Sequence, residues 1–204
     1  MSRRKPVDGS RQAGFTLVEV LVTLFLAAIL ATAAFTFINT SVNQYLAFQQ
    51  DGMVFGDLAT QSQRVAQVVR GLTDITSATA DDLTIYAYFY PNDSYVSLVH
   101  YYKDSTKSIL YADVTPMTAN PPNGTPITAS KKTYTIISPL YTNASVSTFV
   151  YLDSYGTTLP MPIADLHTIK EIQVNLAVPV KSPSSNGNDA MTLLVSLRNR
   201  KTNL

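Results

Sequence analysis

The sequence predicts an α+β fold, in which one long N-terminal helix packs on an antiparallel β-sheet. Residues 15–38 form an almost unbroken apolar run, and residues 39–71 continue it without a proline. After residue 80 the chain is rich in Tyr, Val, Ile and Thr, with turn residues between short runs. One long helix followed only by strands is typical of the α+β class.

The composition bounds the class of protein. A chain of 204 residues favours one extramembrane domain joined to a membrane segment. Because the chain has no cysteine, a disulfide framework and a thiolate zinc site are excluded. Removal of residues 1–14, which hold four bases and one acid, would leave 11 bases and 13 acids, a net charge of −2. This balance does not indicate a nucleic-acid partner.

The apolar run is long enough to cross a membrane. As a helix, residues 15–38 would rise about 36 Å, against a hydrocarbon core of about 30 Å. Glu19 is the single charge in this run. An acidic residue at the centre of a membrane helix costs about 2.5 kcal/mol or more, and such residues mark functional positions. Glu19 is therefore a candidate functional residue.

The start of the run carries a recognisable motif. Residues 14–19 (GFTLVE), preceded by a short leader with four basic residues, resemble the prepilin signal of type IV pilins and type II secretion pseudopilins. The basic leader is expected on the cytoplasmic side of the membrane. The resemblance implies that a prepilin peptidase cuts after Gly14 and methylates the new N-terminus at Phe15. It also implies that Glu19 is the carboxylate used in filament assembly.

The resemblance suggests how Glu19 would act. Cleavage would turn the nitrogen of Phe15 into a cation, and buried charges need partners. We expect Glu19 of an incoming subunit to pair with the Phe15 amine of its neighbour, which would set the axial register. Pairing within one subunit, and a Glu19 side chain without any role in assembly, remain alternatives. Many family members carry a later proline that kinks the helix, whereas this chain has Thr36 near that position.

Two other interpretations of the N-terminus stay open. Ala31-Thr32-Ala33 followed by Ala34 resembles a conventional signal-peptidase site, which would release a secreted soluble domain. The apolar run exceeds the 7–15 residues of an ordinary signal sequence and contains Glu19, which favours the prepilin interpretation. An uncleaved single-pass anchor is the third alternative.

Residues 39–71 are predicted to extend the helix as an amphipathic segment. Gly52 and Gly56 weaken its middle by up to about 1 kcal/mol each. Gly71 is the predicted C-terminal stop. The expected apolar stripe recurs mostly at three- and four-residue steps, as is typical of a helix with one buried face, and consists of Val42, Tyr45, Leu46, Met53, Leu58, Val65, Val68 and Val69.

Residues 72–204 are predicted to form a β-rich head domain. Lys103–Thr106 is expected to be a hairpin turn, 153–156 a further turn, and 116–130 and 182–188 loops. The clearest strand is 169–178, in which apolar and polar side chains alternate as in a sheet with one buried face. The predicted strands are 83–90, 95–102, 108–114, 134–137, 146–152, 169–178 and 191–197.

Three segments of the head narrow the resemblance to two groups of pilin-like proteins. Residues 96–114, 151–178 and 193–200 resemble the J-type pseudopilins of type II secretion and the W-type minor pilins of type IV pili. The resemblance implies a subunit of a tip or initiation complex, whose partners are other minor pilins and the inner-membrane assembly platform. It also implies a single-pass protein of the cytoplasmic membrane that later joins an extracytoplasmic filament. The expected work is assembly, without catalysis, cofactor or metal.

Candidate catalytic and metal-binding residues are few. His100 and His167 are the two histidines, and neither belongs to a catalytic motif. Asp153 and Asp165 carry oxygen ligands of the kind that Ca²⁺ takes, but their spacing matches no ion-binding loop. We therefore predict that the protein is not an enzyme.

A binding role at a filament tip is the alternative function. Twelve tyrosines and no tryptophan offer amphipathic surface for adhesion, although tyrosine is also a good strand former that tolerates water. Arg198, Arg200 and Lys201 suggest contact with the phosphates of DNA in an uptake pilus. Three bases do not indicate specificity, and a charged terminus is the simpler interpretation.

Overall fold

A computed structural model describes residues 14–141, 146–180 and 188–198. The chain divides into two units, residues 1–46 and residues 47–204. The predicted α+β class is confirmed, because one long helix, α1 (Leu17–Arg70), precedes antiparallel strands and its C-terminal part packs on them.

Helix α1 ends where the sequence predicts. Gly71 is the first residue after it, and the N–H of Gly71 donates to the carbonyls of Gln67 and Val68, both at 3.2 Å. The helix runs through Gly52 and Gly56 without interruption. Arg70 lies in the last turn, where a cation complements the partial negative charge of the helix dipole.

The strands of the described chain form two antiparallel sheets, where we expected one. The first sheet has the order β1-β2-β3-β4-β5, and the second has the order β6-β7-β8. The strands are β1 (Asp74–Ala78), β2 (Asp82–Ala87), β3 (Ser97–Asp104), β4 (Ile109–Pro116), β5 (Lys132–Ile137), β6 (Phe149–Leu152), β7 (Glu171–Pro179) and β8 (Asn188–Ser196).

The strand boundaries differ from the predicted ones by up to three residues, and three local differences have a visible cause. Strand β1 was not predicted, because its sequence is mostly polar and Ile75 is its single buried residue. Strand β2 ends at Ala87 rather than at Tyr90, whose N–H donates to Asp93 Oδ2 at 3.1 Å in a turn. The β3–β4 turn lies at 105–108, because the two residues before it still pair with β4.

The head core receives side chains from α1 and from both sheets. Of the predicted helix stripe, Leu58, Val65, Val68 and Val69 are buried. The other four members, Val42, Tyr45, Leu46 and Met53, are exposed. The apolar stripe is therefore buried only in the last turns of α1, where the strands cover it.

A polar cluster joins the two sheets. Asp81, in the β1–β2 turn, accepts hydrogen bonds from Lys103 Nζ at 3.1 Å and from Thr148 Oγ1 at 2.7 Å. Partial burial alone would raise the pKa of Asp81, but the hydrogen bonds from Thr148 and Lys103 outweigh it and lower the pKa below its ordinary value. The Tyr151 hydroxyl of β6 donates to the Thr79 carbonyl at 2.9 Å. These contacts fix the second sheet to the first.

Candidate functional site: the N-terminal segment

The GFTLVE segment spans the start of α1. Gly14, Phe15 and Thr16 precede the helix, and Glu19 lies in its first turn. Thr16 Oγ1 accepts the N–H of Glu19 at 3.3 Å, and the Thr16 carbonyl accepts the N–H of Val20 at 3.1 Å. Thr16 is therefore the N-cap of α1, and Glu19 stands at the third helical position.

This arrangement gives Thr16 the role of helix cap, which the sequence analysis did not predict. Thr16 and Glu19 have the Thr-x-x-Glu spacing of a capping box. A carboxylate in the first turn also favours the positive end of the helix dipole. The Thr-x-x-Glu spacing is present in the sequence and is the signal that predicts this cap.

The structure does not test the predicted pairing between Glu19 and the Phe15 amine. In the uncleaved chain the nitrogen of Phe15 is an amide, which carries no charge. Among the described residues, the Glu19 carboxylate joins no ion pair. Because the chain described is uncleaved, cleavage after Gly14 and methylation of Phe15 also stay predictions.

Every residue from Gly14 to Leu46 is exposed. Within the described ranges, α1 is the one helix that is long and apolar enough to cross a membrane. A continuous apolar surface of this size on a water-soluble protein marks a membrane or protein contact. The apolar side chains of this segment therefore need lipid or another protein surface to shield them from water.

The threonines of this segment satisfy their own hydroxyls. Thr23 Oγ1 donates to the Val20 carbonyl at 2.9 Å, and Thr32 Oγ1 donates to the Ala28 carbonyl at 2.8 Å. Thr36 Oγ1 donates to the carbonyl of Thr32 at 2.9 Å, and α1 is continuous at this position. No hydroxyl of these three residues would enter lipid without a partner.

One face of the exposed helix carries small residues at four-residue steps. Ala28, Thr32, Thr36 and Thr40 line a shallow groove on the helix surface. Small side chains let helix backbones approach closely in membranes, where packing drives association. This face is therefore suited to contact with another helix.

The two histidines belong to the head. His100 is in the middle of β3, where Nε2 is 3.3 Å from Asp82 Oδ1 and the ring stacks on Tyr102. His167 is exposed in a short 3₁₀ turn, 166–168. His100 Nε2 is thus paired with a carboxylate, not with the serine or threonine hydroxyl that a nucleophile and its base require.

The aspartates considered for Ca²⁺ stabilise turns. Asp153 Oδ1 accepts the N–H groups of Tyr155 and Thr157, at 2.8 and 2.9 Å. Asp165 Oδ1 accepts the N–H of His167 at 2.8 Å. Among the described residues, no group of three or more His, Cys, Asp or Glu side chains is placed to hold a metal ion.

Of the basic residues near the C-terminus, Arg198 is exposed. Arg200 and Lys201 lie outside the described residues, and so does most of the predicted loop 182–188. The suggestion that these bases contact DNA stays a prediction.

Comparison with known proteins supports the motif. A family model described as the prokaryotic N-terminal methylation motif matches residues 9–35. This match includes the Gly14–Phe15 junction and Glu19, and it supports a type IV pilin-like protein that is anchored in a membrane. A search of curated proteins found no match to the chain.

Proposed function

We propose that the chain is a minor pilin or pseudopilin, a subunit of a type IV filament machine that works in a tip or initiation complex. The observation that carries this proposal is the fully exposed apolar helix from Gly14 to Leu46, which begins with the methylation motif. Such a helix needs lipid before assembly and other helices afterwards, and a filament subunit meets both. The resemblance of the head to J-type pseudopilins and W-type minor pilins supports the finer assignment.

The proposal assigns a role to each part of the chain. Residues 1–14 are the leader that a prepilin peptidase removes, and residues 15–38 span the cytoplasmic membrane with the leader inside. Residues 39–71 continue the helix into the head, residues 72–204, which lies outside. Once freed, the Phe15 amine pairs with Glu19 of a neighbouring subunit. Its partners are other pilins and the assembly platform, and it contributes no catalysis or cofactor.

The mass of the N-terminal peptide tests the proposal. Protein extracted from the membranes of the native host should begin at an N-methylated Phe15. Gly14→Val should leave the leader in place, because a bulky residue at the cleaved bond obstructs the peptidase. Gly9→Val, a matched glycine substitution within the leader, should be processed normally.

Two results would contradict the proposal. Protein that keeps residues 1–14 would support an uncleaved anchor, and protein that begins at Ala34 would support a conventional signal sequence. Electron microscopy of filaments with gold-labelled, tagged subunits then tests the finer assignment. We expect labels at filament ends, and labels along the shafts would contradict a tip position.

A further inference from the structure

A groove on the head has the features of a ligand site. Its volume is about 460 Å³, within the range of roughly 300–1,000 Å³ that is typical of small-molecule sites. Three separate stretches of chain line it: the β2–β3 loop, the end of β4, and the chain from 130 to 134 at the start of β5. The lining residues that matter here are Tyr90, Asp93, Tyr95, Ser130, Lys132 and Tyr134.

The groove exposes aromatic rings. Tyr90 and Tyr95 are 41% and 47% exposed, whereas the neighbouring Phe89 is 3% exposed in the core. The β2–β3 loop therefore sends the Phe89 ring inwards and presents Tyr90 and Tyr95 to solvent at the groove. Aromatic side chains with a polar tip are well suited to contact surfaces that are both apolar and wet.

Aromatic and cationic contacts hold the Tyr90 ring in place. Its centroid lies 5.0 Å from that of Phe89, edge to face, and 6.2 Å from that of Tyr134. The Arg64 guanidinium of α1 lies 5.6 Å from the Tyr90 centroid and 4.7 Å from the Phe89 centroid. A ring fixed by three neighbours loses little conformational freedom when a ligand stacks on it.

Polar groups of both kinds face the groove. Asp93 Oδ2 accepts the N–H of Tyr90 at 3.1 Å, which orients the carboxylate. Among the described residues, neither Asp93 nor Lys132 joins an ion pair. The carboxylate accepts hydrogen bonds, the ammonium donates them, and the Ser130 hydroxyl does both.

We propose that this groove binds a neutral carbohydrate. A pyranose ring has an apolar C–H face that stacks on tyrosine and a rim of hydroxyls that donate and accept hydrogen bonds. Among the residues that line the groove, one acid balances one base, and Asp93 would repel the phosphates of a nucleic acid. The ligand class that fits these observations best is therefore uncharged and rich in hydroxyls.

Binding of defined oligosaccharides tests the proposal. The full chain, purified in a sugar-free zwitterionic detergent, is titrated with maltotriose, cellotriose and tri-N-acetylchitotriose. Saturation-transfer NMR detects the bound sugar, and tyrosine fluorescence follows the protein without interference, because the chain has no tryptophan. We expect at least one of these sugars to bind with a dissociation constant in the low millimolar range.

Substitutions locate the site. Tyr95→Ala removes a stacking ring and should weaken binding by about tenfold. Asp93→Asn keeps the acceptor for the Tyr90 N–H but removes the charge, and should weaken binding severalfold. Tyr155→Ala is the matched control, because Tyr155 is 91% exposed and does not line the groove, so binding should be unchanged.

Three results would overturn the proposal. They are no binding of any of the three sugars, equal binding by wild type and Tyr95→Ala, or displacement of the sugar by a twelve-residue oligothymidine or by a neutral Gly-Ser peptide. The measurement does not depend on filament assembly. Its failure would therefore leave the proposed role as a pilin subunit intact, and failure of that role would leave the groove in place.

Discussion

The first 46 residues and the head differ in how far their apolar side chains are shielded from water. Every described residue of the first unit is exposed, although most of its side chains are apolar. In the head, by contrast, apolar side chains from α1 and both sheets form a closed core. The head shields its apolar side chains from water by itself, whereas the first unit needs lipid or other helices to do so.

The two regions also treat polar groups differently. Thr23, Thr32 and Thr36 bond carbonyls within their own helix, three or four residues away. In the head, Asp81 bonds residues 22 and 67 positions away in sequence. Local bonds satisfy these threonine hydroxyls within the helix itself, whereas long-range bonds hold the head in one arrangement.

Loss of the charge at Glu19 should have the largest effect of these substitutions, and the affected quantity is incorporation into filaments. Glu19→Ala would leave the Phe15 amine of a neighbouring subunit unpaired in an apolar setting, where breaking a buried ion pair costs about 3–5 kcal/mol. We expect incorporation into filaments to fall by more than about tenfold. Glu19→Lys should reduce it further, because two cations would meet. Immunoblots of sheared filaments against membranes measure the ratio.

Asp57→Ala is the control for this experiment. Asp57 is an exposed acid on the same helix, beyond the apolar run, and its removal should leave incorporation unchanged. Wild-type incorporation of both Glu19 variants would exclude the assembly role. The favourable position of an acid in the first turn of α1 would then be the remaining explanation for the residue.

Substitution of two leucines on α1 allows a direct comparison of how the two regions contribute to stability. Leu58 is 1% exposed in the head core, and Leu30 is 70% exposed in the first unit. Leu58→Ala should lower the free energy of unfolding of the head by about 2–5 kcal/mol, because it removes buried methyl groups and leaves a cavity. Leu30→Ala should not change it. Urea unfolding in detergent measures both, and equal effects would show that the two regions unfold as one.

Loss of the Asp81 carboxylate should have a smaller effect on the stability of the head, and this effect should depend on pH. Its lowered pKa stabilises the fold above the ordinary carboxyl pKa, and this stabilisation is lost as the pH falls through the folded-state value. Asp81→Asn should therefore destabilise the head at pH 7 and have less effect near pH 2. Lys103, 7% exposed, is the cation left without its partner.

Asp104→Asn is the matched control for Asp81→Asn. Asp104 pairs with Lys107 at 3.8 Å, and that lysine is mostly exposed, so the substitution should change stability little at either pH. Thermal unfolding at several pH values measures both variants. A constant difference between wild type and Asp81→Asn across this range would contradict the assigned role.

The sequence predicted the elements better than their pairing. The long helix, its stop at Gly71 and the alternating strand β7 followed from periodicity and turn chemistry. The division into two sheets did not, because alternation shows which face is buried but not which strand is adjacent. Strand β1 was missed because a short edge strand with one buried residue has almost no pattern.

The functional segments differ in the same way. Gly14, Phe15 and Glu19 lie within six consecutive residues, so a local motif was enough to select them. The groove brings Tyr95 together with Lys132, 37 positions later, and no local pattern could reveal that approach. The sequence showed only that exposed tyrosines were available.

The threonine hydroxyls of α1 affect the transfer of this helix between lipid and a protein interior. A side chain that already donates to a carbonyl of its own helix brings the same set of polar contacts into hydrocarbon and into a protein interior. Exchange between these environments therefore breaks no hydrogen bond of Thr32 or Thr36. A helix built in this way can leave the bilayer and return to it with little enthalpic barrier from these hydroxyls.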